Sequence, residues 1–186
     1  MVEPKSRNRT ATLNRTRNAI LDAAVTVLAA NPSATMTDIA DSVGMARSTV
    51  YRHFTDRSSL QSAMQDYAEA RLAEIGQQLA ARPGLAREHL LILCQAYFDE
   101  ADLLMSAFGD RSQSEEMEAA REQGDLAGLI IQGHRDGSID PCLPPAWVEQ
   151  ALWAMLYNAW LMATSKAMTR HEALSLFLRS FEKMLA

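Results

Sequence analysis

The residues from Met36 to Val43 constrain the fold of this chain more than any others, because local chemistry closes them at both ends. In front stands Thr35-Met-Thr-Asp38, a threonine-x-x-acid pattern in which the threonine oxygen accepts an orphan backbone N–H and Asp38 complements the helix dipole. Behind stands Gly44, which takes without strain the left-handed conformation that turns a chain sharply out of a helix. The spacing predicts a short helix over 36–43 with Met36, Ile39 and Val43 facing inward, then a tight turn. A third helix begins at Ala46 or Arg47. Val50 and Phe54 form its apolar face and Met45 covers the turn, so Arg47, Ser48, Thr49, Tyr51, Arg52 and His53 stand on or beside the open face. Two short helices joined by a glycine turn form a helix-turn-helix, the arrangement that lays its second helix in the major groove of DNA.

The rest of the chain is helical in pattern. Apolar residues recur as in Ile20, Ala24, Val27 and Leu28, while alternating β-branched runs bounded by turns are missing, which places the fold in the all-α class. A first helix is expected from about Thr16 to Ala30, ended by Asn31-Pro32. Charge divides the chain. Residues 1–60 carry eight Lys and Arg against five Asp and Glu, whereas residues 61–186 carry ten against eighteen, within a net charge of −5. Only the front is suited to a polyanion. Three segments follow: a flexible basic arm over 1–15 with Lys5, Arg7, Arg9 and Arg15, a helix-turn-helix domain over 16–60, and a larger helical domain over 61–186 for ligand binding and dimerisation.

The open-face residues have the chemistry for reading DNA. Arginine forms bidentate bonds to guanine, Ser and Thr serve phosphates or bases, the Thr49 methyl meets a thymine methyl, and Tyr51 and His53 donate to phosphate. The segment from Thr35 to Phe54 with Asp56-Arg57-Ser-Ser-Leu60 resembles the TetR family of bacterial transcriptional regulators over about residues 20–64. The resemblance implies a DNA-binding set of Thr35, Thr37, Arg47, Ser48, Thr49, Tyr51, Arg52, His53 and Arg57. Thr37 would contact phosphate or a base at the start of the second helix. Arg57 occupies the place where the family usually carries a phosphate-binding lysine. The resemblance also implies a cytoplasmic repressor, about nine helices, and dimerisation through the last two.

Behind the reading head the pattern gives a long helix from Asp56 to about Ala81, another from about Leu85 to Phe108, a polar stretch over 109–123 with Ser112-x-x-Glu115 as a possible cap, and a helix over 126–134 ended by Asp136-Gly137. The last two helices cover 146–166, apolar nearly all round and so expected to be buried on more than one side, and 171–185. So much apolar surface near the C-terminus suggests a homodimer that hides it, and two heads related by a two-fold axis match a palindromic operator on double-stranded DNA. The candidate lining for an unknown small-molecule effector is Met64, Tyr67, Tyr97, Phe98, Met105, Phe108, Met117, Trp153 and Tyr157, all of which also serve as plain core.

Other classes find little support. The four histidines, His53, His89, His134 and His171, are dispersed, and no phosphate loop, nucleophile motif or metal-ligand spacing stands out, so no enzyme activity, metal or cofactor is expected. Cys94 and Cys142 read as reduced core thiols. No apolar run reaches the ~18 residues of a membrane span, and the polar N-terminus is no secretory signal. The remaining alternative is a helical module that binds a small molecule or protein without sequence-specific DNA binding.

Overall fold

The computed structural model describes residues 4–108 and 126–186, and every regular element among them is a helix. There are nine: α1 Pro4–Ala30, α2 Met36–Val43, α3 Arg47–His53, α4 Arg57–Ala80, α5 Ala86–Asp99, α6 Ala101–Phe108, α7 Leu126–Asp136, α8 Pro145–Thr164 and α9 Arg170–Met184. The described residues contain no helix long and apolar enough to cross a membrane. The chain divides into two compact units, one reaching to Ala68 and the other running from Glu69 to Ala186, so the division falls within α4. The stretch 109–123, with the cap at Ser112, lies outside the described residues, as do the side chains of Lys5, Arg7 and Arg9.

In the first unit the core is built from Ile20, Leu21 and Ala24 of α1, Ile39 and Ala40 of α2, Val50 of α3 and Leu60 and Met64 of α4, each 4% exposed or less. α1 begins at Pro4 and not at Thr16, so residues 4–15, expected as an arm, are helical. No glycine or further proline interrupts 5–30, proline suits a first turn, and Arg, Ala and Leu propagate a helix well. Arg17 lays its guanidinium over the Phe54 ring, 5.3 Å from the centroid, and the Tyr67 hydroxyl donates to Asp22 at 3.3 Å. These contacts tie the end of α3 and the middle of α4 back to α1.

The second unit centres on α5, which packs against α7, α8 and α9, while α8 and α9 pack along each other. Leu90, Phe98, Leu104, Ile130, Ile139, Leu152 and Phe181 are its large fully buried side chains. The single helix expected over 85–108 is broken, because α5 stops at Asp99 and Glu100 takes φ −92°, ψ 10° before α6 begins. Distant side chains stabilise that break. Arg170 donates to the Phe98 and Asp99 carbonyls at 2.8 and 3.2 Å, and Arg71 pairs with Glu100 at 2.5 Å. The other end of α5 is also closed from afar: the Ala86 N–H donates to Asp136 at 3.1 Å and the Arg87 N–H to the Ser138 hydroxyl at 3.2 Å. Gly133 on α7 gives the following turn its close approach, since a Cβ there would stand 2.4 Å from Ile139.

Within one chain α8 buries one side, through Val148, Leu152, Leu156 and Ala159, and leaves Trp147, Tyr157 and Leu161 exposed. Its last helical residue is Thr164 rather than Lys166, which instead takes a left-handed φ of 59°. α9 starts one residue before His171 under a Thr169-x-x-Glu172 capping box that the sequence displays and our reading of it missed. Cys94 is buried, and burial pushes its thiol well above the ordinary range, but Cys142 is exposed beside Pro141 rather than in the core.

Candidate nucleic-acid interface

The start of α2 is built by reciprocal hydrogen bonds. Thr35, extended at φ −90° and ψ 166°, accepts the Asp38 N–H on its hydroxyl at 3.2 Å, while the Asp38 carboxylate accepts the Thr35 N–H at 2.7 Å and the Thr35 hydroxyl at 2.8 Å. Those bonds, with the nearby charge of Arg47, hold the Asp38 carboxyl below the usual carboxylate value. The far end closes as the glycine requires: Gly44 sits at φ 67°, ψ 29°, its N–H donates to the Asp41 carbonyl at 3.2 Å, and the Met45 N–H reaches Ala40 at 3.0 Å. This is a Schellman closure. It aims the chain into α3.

α3 runs from Arg47 to His53 behind Ala46, whose extended backbone begins the helix without a side-chain cap. Val50 is fully buried and Phe54 2% exposed, so these two fix which face of the helix packs inward. Arg47, Ser48, Tyr51 and Arg52 are exposed, and Thr49 is half-buried beside them. A short helix locked on one side and carrying two arginines, a tyrosine and small hydroxyls on the other is shaped to enter a groove and bond base edges and phosphates.

Three members of the expected set are engaged or enclosed within the protein itself. The Thr35 hydroxyl is engaged within the cap, both accepting and donating. His53 is half-buried with its Nε2 enclosed and without a hydrogen-bond partner. Arg57, at the first position of α4, turns its guanidinium onto the carbonyls of Pro32 and Ala34, with Nη2 2.6 Å from Pro32. Thr37 is half-buried on α2. No local sequence signal marks the use Arg57 is put to.

Residues 20–64 match the sequence model described as "Bacterial regulatory proteins, tetR family". A relative from Mycolicibacterium smegmatis, the HTH-type transcriptional repressor LfrR, is 29% identical over 168 residues, covering 89% of this chain and 88% of that one. Over residues 20–64 the chain is therefore similar to the TetR family of bacterial regulators. Among solved structures, the TetR-like regulator LfrR from Mycobacterium smegmatis in complex with proflavine superposes on this chain with a TM-score of 0.73, 27% identity and coverage of 93% of this chain and 97% of that one. The transcriptional regulator FadR from Bacillus subtilis in complex with stearoyl-CoA, 19% identical, shares the fold over 90% of this chain and 97% of its own, with a TM-score of 0.67. The α2–Gly44–α3 unit lies within the stretch that matches the family's sequence model.

The expected effector lining is scattered. In the second unit Tyr97 stacks on Trp153, with ring centroids 5.4 Å apart and planes 17° from parallel, and burial pushes the Tyr97 hydroxyl above its usual value. Phe98, Met105 and Phe108 are buried in the same unit, Phe98 beneath the Arg170 guanidinium at 4.9 Å. Tyr157, by contrast, is 45% exposed. Met64 and Tyr67 belong to the first unit, where Met64 is core and Tyr67 bonds Asp22. Met117 lies outside the described residues. A cluster that sequence reading missed joins four helices: Asp102 of α6 accepts the Trp160 indole N–H of α8 at 2.8 Å and lies 3.6 Å from Arg170 of α9, whose guanidinium caps α5. Among the described residues no group of three or more His, Cys, Asp and Glu is arranged to hold a metal.

Proposed function

We propose that the protein is a cytoplasmic repressor that works as a homodimer, places two copies of α3 in successive major grooves of a palindromic operator, and leaves the DNA when a small apolar effector binds the second unit. The observation that carries this reading is the locked turn from capped α2 through Gly44 to α3, with Arg47, Ser48 and Arg52 exposed opposite Val50. The protein acts by binding, without a reaction of its own. Selection of duplexes from a random pool tests it. The unaltered protein should enrich a palindrome with half-sites about one helical turn apart. Arg52→Ala should bind that duplex about 1–3 kcal/mol more weakly. No enriched palindrome would refute the reading.

The dimer is supported by the apolar side chains that one chain leaves open on its last two helices, Trp147 at 61% exposure, Tyr157, Leu161 and Leu176. Leu161→Glu with Leu176→Glu should halve the mass seen in sedimentation. For the effector, the stacked Tyr97–Trp153 pair and the proflavine complex of the LfrR relative both favour a planar aromatic molecule. Coupling between effector and operator is expected at about 1–3 kcal/mol. Proflavine serves as the probe: it should quench tryptophan emission and release the selected duplex, and saturable binding without release would refute the induction step.

A further inference from the structure

Arg57 joins two parts of the reading head that are far apart in sequence. The loop from Asn31 to Ala34 satisfies several of its own donors: the Ala34 N–H bonds the Asn31 carbonyl at 3.0 Å, and the Asn31 side chain accepts the Ser33 N–H and hydroxyl at 3.1 and 2.7 Å. The carbonyls of Pro32 and Ala34 are met instead by Arg57, one by each terminal nitrogen of its guanidinium. The anchor at the other side is firm, because Asp56 and Ser59 cap the start of α4 reciprocally: Asp56 accepts the Ser59 N–H at 2.7 Å and its own N–H donates to the Ser59 hydroxyl at 3.2 Å. Ala34 immediately precedes Thr35, the residue that starts α2.

We propose that Arg57 is a positioning residue for DNA binding, a bidentate clasp that sets where α2 begins relative to the start of α4 and so where Thr37 and, through the Gly44 turn, α3 are presented. It rests on the DNA-reading assignment above and replaces, at this one position, a direct phosphate contact. The guanidinium suits the task because it is planar and rigid, with two terminal nitrogens that engage two carbonyls at once, which a lysine ammonium does not reproduce. To reach a phosphate the same nitrogens would have to abandon both carbonyls.

The test uses the full-length protein, its Arg57→Lys and Arg57→Gln variants, and the duplex that the unaltered protein selects. Both variants should lose about tenfold in affinity at 25 °C, with the slope of log K against log salt unchanged, and in the free proteins the amides of residues 34–38 should exchange with solvent about tenfold faster. A lysine variant that binds like the parent, with a glutamine variant whose slope shrinks by about 0.9, is the signature of a phosphate contact and would overturn the proposal. Variants that melt earlier but bind like the parent at 25 °C would overturn it too, since the clasp would then serve stability alone. If the unaltered protein enriches no duplex, the DNA-reading assignment fails first, while amide exchange still shows whether the clasp holds the loop.

Discussion

Replacing Gly133 by alanine tests how tightly the second unit is packed. A Cβ built there stands 2.4 Å from Ile139 Cδ1, 2.6 Å from Cγ1 and 3.0 Å from Cβ, whereas ordinary carbon contacts lie near ~3.5–4.0 Å. Turning the Ile139 side chain moves Cγ1 and Cδ1 but leaves its Cβ in place. The backbone has little room to yield, because the Ser138 and Ile139 N–H groups both bond the Gly133 carbonyl, at 3.0 and 3.1 Å. We therefore expect Gly133→Ala to cost about 2 kcal/mol, within the ~1–3 kcal/mol of overpacking. Ile139, 1% exposed, should cost about 3 kcal/mol as alanine. The double variant removes the Cγ1 and Cδ1 clashes but keeps the 3.0 Å approach of the two Cβ atoms, so it should lose about 4 kcal/mol rather than about 5, a coupling of about 1 kcal/mol. Urea unfolding followed by tryptophan emission reads this unit alone, since Trp147, Trp153 and Trp160 all lie on α8. Additive losses, or a Gly133→Ala protein as stable as the parent, would refute the packing argument.

Gly44→Ala meets no atom within 4 Å, so its cost is conformational, about 1 kcal/mol, and Gly44→Asn should recover part of it; circular dichroism at several urea concentrations reads both. Asp38, Asp136 and Glu172 are held below their ordinary values of 3.8, 3.8 and 4.5, chiefly by hydrogen bonds from Thr35, Ser138 and Thr169 respectively. A depressed carboxyl stabilises the fold above its ordinary value and ceases to as pH falls through the lowered one, so unfolding midpoints should drop below about pH 4. Asp136→Asn should be less stable at pH 7 and show a shallower acid fall. Asp102→Ala removes the acceptor of the Trp160 indole, so its emission should shift, while Asp99→Ala, which offers Arg170 only its backbone carbonyl, should leave the emission unchanged.

What was legible in the sequence was what neighbours in sequence decide. The α2 bounds, its threonine cap and the Gly44 turn depend on residues within a few positions of one another, and the same logic would have found Thr169-x-x-Glu172. The buried face of α3 followed from the spacing of Val50 and Phe54. Periodicity alone carried an unbroken helix through Glu100, because what stabilises the break comes from Arg71 and Arg170, which no local pattern connects to it. The contacts of Arg57 are illegible for the same reason: its partners, Pro32 and Ala34, are carbonyls with no signature in side-chain chemistry. Tyr157 counts in the sequence as lining or as core, and its exposure follows only from the burial of Val148 and Leu152, which fixes how α8 is turned.

The ends of α5 carry one more consequence. Its first N–H groups are taken by Asp136 and Ser138 and its last carbonyls by Arg170, so both caps come from residues made long after the helix itself. As the chain leaves the ribosome, α5 stays provisional: its front is finished only when the turn after α7 has emerged, and its back only when α9 begins. Assembly of the second unit is thereby deferred until α9 has emerged and then made nearly all-or-none, which favours cooperative closure over a half-built fold.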